Sequence, residues 1–351
     1  MDDNQGGARG LVPVPCQCVS GSLIPPMTVA LDHLVAIAEN AVPEGAEVRT
    51  LITADALELR LAFWRGGGAG TVLVLPGRSE FIEKYFEVVG DLRARGFNVA
   101  VLDWRGQGGS RRELADPRKG HVDDFHLYLR DLDAVLTFMA AQDLPRPWYG
   151  LAHSMGGAVL ALAVAGGERR LSRAVLSAPM FGIHGISSHG ASSLLAGLLS
   201  LAGLGGRYVP GGRTRAPSAF SPFEGNVLTS DPVRYRRAEA VLIAGPDLAI
   251  GAPTVAWATA AFRAIRELER PESGLASRCP LLIVAASADT VVSTPASERL
   301  AQRWRGAACV TIPGARHEIL MERDGLRMQF WAAFDAFIGD ARAAEASPPS
   351  T

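Results

Sequence analysis

Residues 148–158 read Trp148-Tyr149-Gly150-Leu151-Ala152-His153-Ser154-Met155-Gly156-Gly157-Ala158, and this stretch decides the fold. A short apolar run (148–151) leads in, small residues crowd the middle, and an apolar helical run (158–164) leads out. Strand, tight turn and helix with a serine at the apex make a nucleophile elbow. Small flanking residues let neighbouring chains pack close while the hydroxyl stands at the C-terminal edge of a sheet. The usual pattern is G-x-S-x-G. Here Ala152 takes the place of the first glycine and Gly156 keeps the second.

Outward from the elbow, short apolar runs alternate with helical patterns, the signature of a mostly parallel sheet covered by helices. The runs 71–75 (TVLVL), 98–102 (NVAVL), 174–176, 281–285 (LLIVA) and 309–312 (CVTI) join 148–151 as buried strands. Helical patterns cover 83–95 and 123–140, and 48–53 with 57–64 reads as an antiparallel hairpin opening the sheet. The expected fold is α/β: a mostly parallel eight-stranded sheet with helices on both faces. Between Leu176 and Leu281 the chain is far longer than one crossover, which takes about a dozen residues or a little more. An insertion is expected there. It carries Leu194 to Leu204 (LLAGLLSLAGL), a Gly- and Pro-rich loop, and Asp231-Pro232 in the N-cap and N1 positions of a helix. The expected division is a disordered tail (1–26), an N-terminal helix and linker (27–46), a first core part (47–180), a helical cap (181–262), a second core part (263–340) and a disordered tail (341–351). The N-terminal helix rests on the amphipathic pattern of Leu31, Leu34, Val35, Ile37 and Ala38. A translation start at Met27 fits the character of the preceding tail.

The chain of 351 residues carries 35 Lys and Arg against 36 Asp and Glu, a net charge of −1. That balance speaks against a general nucleic-acid binder. Cys16, Cys18, Cys279 and Cys309 offer neither a disulfide framework nor a paired zinc knuckle. The acidic start Met1-Asp2-Asp3 and the early prolines do not make a signal peptide, and no apolar run reaches transmembrane length. The expected location is cytoplasmic, with peripheral contact at the inner face of the membrane as an extension of that expectation.

A serine nucleophile needs a base, and the base needs an orienting acid. The strand at 281–285 ends in a loop bearing Asp289, and the strand at 309–312 ends in a loop bearing His317. Both loops open on the edge where Ser154 stands, in the order nucleophile, acid, histidine. Between Asp289 and His317 there is room for one helix (293–305) and one strand. Among the seven histidines, His317 alone combines a post-strand loop with this order. His153 points away in an elbow and reads as a packing or supporting residue. His126 and Asp131 are five residues apart, so on a helix they face apart. His33, His184 and His189 read as solvent or cap residues, and Asp103, followed by Trp104-Arg105-Gly106-Gln107-Gly108-Gly109-Ser110, as part of a structural loop beside the site. Donors for an oxyanion are expected from the backbone N–H of Met155 and from Arg78 in the loop Leu75-Pro76-Gly77-Arg78-Ser79-Glu80. The Arg78 side chain has two open roles, meeting an anionic head group or forming a surface ion pair with Glu80 or Glu83.

With these motifs, residues 47–338 resemble α/β-hydrolases of the serine aminopeptidase-like, lysophospholipase and monoacylglycerol lipase group. The segment PGRSEFIEKY (76–85) resembles that family's oxyanion segment, with Pro76 where monoacylglycerol lipases carry His and bacterial lysophospholipases of the L2 type carry similar Pro-Gly-Arg sequences. Residues 103–110 and 120–125 also resemble family segments. The resemblance implies Ser154, Asp289 and His317 as the catalytic triad and leaves the substrate open, because the same group includes esterases and peptidases. A small lipid ester as substrate, with no metal or organic cofactor, is the expectation. The leading expectation is a lysophospholipase or monoacylglycerol lipase. A short-chain carboxylesterase, a peptidase and a catalytically inactive binding module remain alternatives. In the cap, Arg207, Arg213, Arg215, Arg234, Arg236 and Arg237 face only Glu224 and Asp231. They form either a docking patch for anionic head groups or membranes, or a solvated face. The leucines of 194–204 either line an acyl channel, rest on lipid, or hold the cap together.

Overall fold

The computed structural model describes Met1 and residues 32–212, 222–275 and 277–346, with backbone alone from 340 onward. A hairpin, β1 (Ala46–Ile52) and β2 (Glu58–Trp64), opens the chain, followed by β3 (Thr71–Leu75), α1 (Phe86–Ala94), β4 (Asn98–Leu102), α2 (His126–Ala141), β5 (Trp148–His153), α3 (Ser154–Ala165) and β6 (Arg173–Ser177). The insertion holds α4 (Ala191–Leu199), a wider π-helical turn over Ser200–Leu204, α5 (Pro232–Ala244) and the start of α6 (Val255–Glu269). Then come β7 (Leu281–Ala286), α7 (Thr294–Arg303), β8 (Ala307–Ile312) and α8 (Asp324–Ala346). The eight strands form one sheet in the order β1-β2-β4-β3-β5-β6-β7-β8. β2 pairs antiparallel with both β1 and β4, and every pairing from β4 to β8 is parallel.

β3, β4, β5 and β7 are buried along their whole length. That is why they read as continuous Val, Leu, Ile and Ala runs rather than as alternating ones. β3 and β5 are neighbours, with Leu75 opposite Ala152, yet the chain leaves β3 toward β4 on one side and leaves β5 toward β6 on the other. Such a reversal opens a crevice at the strands' C-terminal ends.

Three expectations change. Residues 32–45, expected to be part of an N-terminal helix, form no helix. Val35 and Ile37 pack on a small apolar cluster with Phe81, Val241, Leu242 and Leu248, and the Val35 N–H donates to Glu83 Oε1 (3.0 Å). The Val35 N–H is drawn off to a buried carboxylate and the His33 carbonyl to Arg60 Nη1 (2.9 Å), rather than closing helical turns. The segment upstream of 32 lies outside the described residues, apart from Met1. The cap boundary expected at 262 falls inside α6, a single helix whose Trp257, Ala260, Ala261, Ala264 and Ile265 all join the main core. The C-terminal tail expected from 341 begins later, since α8 runs to Ala346.

The cap is fastened to the core by charge. Asp231 caps α5, accepting from the N–H of Val233 (2.8 Å) and Arg234 (2.9 Å). Arg234 and Arg237 reach Glu87 of α1, and Arg234 also meets Asp324 of α8. Two of the six cap arginines are therefore consumed by acids of the core, which removes them from a free basic patch. Arg213 and Arg215 lie outside the described residues.

Candidate active site

Ser154 begins α3 directly after β5 with a backbone φ of +48°. A left-handed conformation at a residue with a Cβ costs about 1–3 kcal/mol and persists only where surrounding packing enforces it. The enforcement is visible at Gly156, where an added Cβ would lie 2.4 Å from the Leu75 carbonyl oxygen and 2.6 Å from that of Pro76. No side chain fits there, whereas position 152 lies inside the strand and accepts the alanine methyl. Gly77 is constrained in the same way. A Cβ there would meet Glu80 Oε2 and His153 Nδ1 at 2.9 Å and Ser154 Cβ at 3.2 Å, so only glycine lets the loop after β3 approach the serine.

The loops after β7 and β8 bring the other two groups to the same edge. His317 Nε2 lies 3.0 Å from Ser154 Oγ, and His317 Nδ1 lies 2.7 Å from Asp289 Oδ2. The second carboxylate oxygen of Asp289 accepts from the N–H of Val291 (2.7 Å) and Val292 (3.0 Å). Burial pushes the Asp289 carboxyl upward in pKa, but the His317 hydrogen bond and these two N–H donors outweigh it and hold the group below its ordinary value. All three side chains are buried. Arg78 and Met155 lie beside them around a cavity of about 320 Å³, whose walls include Met180, Ile183, Leu228, Trp257 and Val292, a volume in the range of small-molecule pockets. Among the described hydrogen bonds, neither the Arg78 nor the Met155 backbone N–H is spent on an acceptor.

Behind Ser154, Asp289 and His317 sits a polar cluster whose pairings sequence reasoning left open, although His153 read as a supporting residue. Glu80 accepts from the Gly77 N–H, from Tyr85 Oη (2.6 Å), from Lys84 Nζ (2.8 Å) and, at 3.0 Å, from His153 Nδ1. Lys84 also reaches Glu318 (2.6 Å), and His153 Nε2 lies 3.3 Å from the His317 carbonyl oxygen. Burial pushes Glu80 up, but the His153 and Lys84 charges overcome it and hold the carboxyl well below the usual range. Burial pulls His153 down, and Glu80 beside it more than reverses that, leaving it above its ordinary value. The cluster braces the loop after β3 and the His317 backbone together. Gln107 completes the brace by donating to the carbonyls of Gly77 (2.7 Å) and Glu80 (3.1 Å). The alternation of Glu80, Glu83 and Lys84 with apolar residues was the available signal, but it cannot say which partner each charge finds.

The remaining candidates separate. His126 is exposed beside Asp124 and Glu267, while Asp131 is buried against Arg105. Asp103 receives Arg60 and the N–H groups of Ile82 and Gly109. The ion pair of Arg78 with Glu80 or Glu83 does not form, because Glu80 is taken by Lys84 and His153 and Glu83 by Arg60. The leucines of 194–204 are not part of the wall of the cavity at Ser154; Leu194, Leu198 and Leu201 border a separate open cavity with Thr259 and Arg263. Leu194, Leu195, Leu198, Leu201 and Leu204 are exposed. Among the described residues, no group of three or more His, Cys, Asp or Glu side chains is placed to hold a metal ion, and no helix is long and apolar enough to cross a membrane.

Comparison with known proteins gives a consistent neighbourhood. The family model described as serine aminopeptidase, S33, matches residues 68–324. Lysophospholipase L2 of Escherichia coli strain K12 is 35% identical over 271 residues, covering 73% of this chain and 76% of that protein. A probable lysophospholipase L2 of Haemophilus influenzae is 30% identical over 270 residues, covering 76% and 83%. In fold, the chain superposes on a soluble variant of monoglyceride lipase from Saccharomyces cerevisiae with a TM-score of 0.65 at 19% identity, covering 84% of this chain and 96% of the other.

Proposed function

Because the chain belongs to the serine aminopeptidase S33 family and is a carboxylic ester hydrolase, we propose that it cleaves the ester of a single-chain lipid, a lysophospholipid or monoacylglycerol, through an acyl-Ser154 intermediate. The observation that carries this is the continuous hydrogen-bonded line from Asp289 through His317 to Ser154 Oγ at the wall of a largely apolar cavity. Asp289 accepts a hydrogen bond from the Nδ1–H of His317, keeping the proton on that nitrogen, and so leaves the Nε2 lone pair facing the serine hydroxyl. Ser154 Oγ attacks the ester carbonyl carbon and its proton passes to Nε2. The carbonyl oxygen becomes an oxyanion received by the Met155 and Arg78 N–H groups. The intermediate collapses, the carbon–oxygen bond to the glycerol side breaks, and that oxygen leaves with the proton from Nε2. Water then attacks the acyl-serine, giving its proton to the same nitrogen, and the fatty acid departs as Ser154 is restored.

The test joins covalent labelling with a substrate panel. A fluorophosphonate should label the wild type and not Ser154→Ala, and the variant should lose up to about a millionfold in kcat. Turnover like the wild type in Ser154→Ala would refute the assignment. Across lysophospholipids, monoacylglycerols and nitrophenyl esters, kcat/KM should rise from acetyl to long acyl chains. A fall with chain length would favour a short-chain esterase.

The cap supplies a peripheral lipid contact in this proposal. Leu194, Leu198 and Leu201 are 66%, 55% and 85% exposed along one helical segment, a concentration of apolar surface characteristic of interfacial helices. Replacing the three with serine should weaken co-sedimentation with anionic vesicles. Unchanged sedimentation would remove the contact.

A further inference from the structure

One charge in the cavity has no role in ester cleavage. Arg78 lines it through a side chain whose Nη1 donates to Ser79 Oγ (3.0 Å) and whose Nη2 donates to the Gly251 carbonyl (2.8 Å). Nε is fully shielded from solvent and has no hydrogen-bond partner. Trp257, also in the cavity wall, presents its ring to the guanidinium, with Arg78 Cζ 5.1 Å from the ring centroid, a cation–π contact. Among the described residues, no carboxylate forms a salt bridge with Arg78, and burial with no acid nearby lowers its pKa to about 10.

The arginines buried elsewhere among the described residues behave differently, and Arg327, for one, is paired with Glu87 and Asp91. Arg60 is neutralised by Glu83 and Asp103, and Arg105 by Asp55 and Asp131. Arg112 lacks an acid but donates to four backbone carbonyls, those of Gly108, Ser110, Pro117 and Asp247. Arg78 alone among these keeps a shielded donor unused, and it does so in the wall of the substrate cavity. The other cation lining the cavity, Lys84, is held between Glu80 and Glu318, so Arg78 carries the uncompensated positive charge. A planar guanidinium with spare N–H donors in a low-dielectric pocket suits a phosphate oxygen pair. In a glycerophospholipid the phosphate is joined through the glycerol to the ester being cut, so a ligand seated at Ser154 presents its head group to the same cavity.

We propose that the Arg78 side chain binds the phosphate of a glycerophospho head group and so selects lysophospholipid over neutral monoacylglycerol at this site. The inference rests on the lipid-ester function proposed above and names the substrate class within it. Its backbone N–H and its side chain then serve the two ends of one ligand.

The test reads binding without turnover. In Ser154→Ala protein, the affinity of a 1-O-alkyl glycerophosphoethanolamine is compared by titration calorimetry with that of the 1-O-alkylglycerol of equal chain length, below micelle-forming concentrations. The free fatty acid serves as a third arm. The phosphate-bearing ether should bind at least tenfold tighter than the alkylglycerol. Adding Arg78→Met should erase at least tenfold of that preference, and Arg78→Lys, which keeps charge but loses the fork, should erase part of it. An unchanged preference in Arg78→Met, or no preference in the parent, overturns the proposal. Tightest binding of the fatty acid, lost in Arg78→Met, also overturns it by assigning the arginine to the product carboxylate. Binding of the alkylglycerol alone sinks the role of Arg78 and leaves the lipid-ester proposal standing. Binding of none of the three sinks both.

Discussion

Replacing Asp289 by asparagine isolates the tautomer control of His317. One carboxylate oxygen of Asp289 accepts from two backbone N–H groups, Val291 at 2.7 Å and Val292 at 3.0 Å, and the other faces His317 Nδ1 at 2.7 Å. An asparagine must place its carbonyl oxygen against the two N–H donors, because turning the NH2 toward them would oppose donors to donors. That choice aims the NH2 at Nδ1. The imidazole then has to accept at Nδ1 and carry its proton on Nε2, which faces Ser154 Oγ at 3.0 Å. The base is switched off without any loss of packing. The comparable exchange in serine proteases costs about 10⁴ in kcat, or about 5.4 kcal/mol of barrier. The same drop is expected here in steady-state hydrolysis of a long-chain nitrophenyl ester at pH 8, with a circular dichroism spectrum and Tm near those of the wild type. Activity within tenfold of wild type would refute the reasoning, since it would mean that His317 keeps its basic nitrogen toward the serine without Asp289.

Two further outcomes follow from the same contacts. Gly156→Ala puts a methyl against the carbonyl oxygens of Leu75 and Pro76 and displaces the loop that carries the Arg78 N–H. It should cost on the order of 10²-fold or more in kcat, as losing an oxyanion donor does, together with a lowered Tm, and an unchanged kcat would show that the loop position is not critical. At Glu87, burial pushes the carboxyl up but Arg234, Arg327 and Arg237 outweigh it, giving a pKa of about 2 against an ordinary 4.5. A depressed folded-state pKa gives stability that is fully present above about 4.5 and lost as pH falls toward about 2. Glu87→Gln should therefore have a lower Tm than wild type near neutrality, with the gap closing through that window. A gap constant with pH would dissociate Glu87 from the cap anchor.

The core strands were legible because each is buried along its length and so spells out its own limits. TVLVL and NVAVL match β3 and β4 end to end. The apex serine was legible because the elbow forces small residues at fixed local spacing. Asp289 and His317 could be picked out because each follows a strand, and parallel strands send every following loop to one edge. Helix propensity misled at 32–45, where Val35 and Ile37 meet the pattern for a helix but serve a distant cluster. At 194–204 the helix itself forms, and the pattern left open only whether it lines a channel, rests on lipid or holds the cap together.

The sequence by itself therefore determined the sheet, the elbow and the order in which three chemical groups arrive at its edge, all consequences of local periodicity and of the handedness of parallel crossovers. Only the tertiary structure decided which charges neutralise one another. Glu80 goes to Lys84 and His153, Glu83 to Arg60, and Arg78 to neither. The physical reason is that charge pairing depends on separation and local dielectric, and both are set by contacts between segments far apart along the chain.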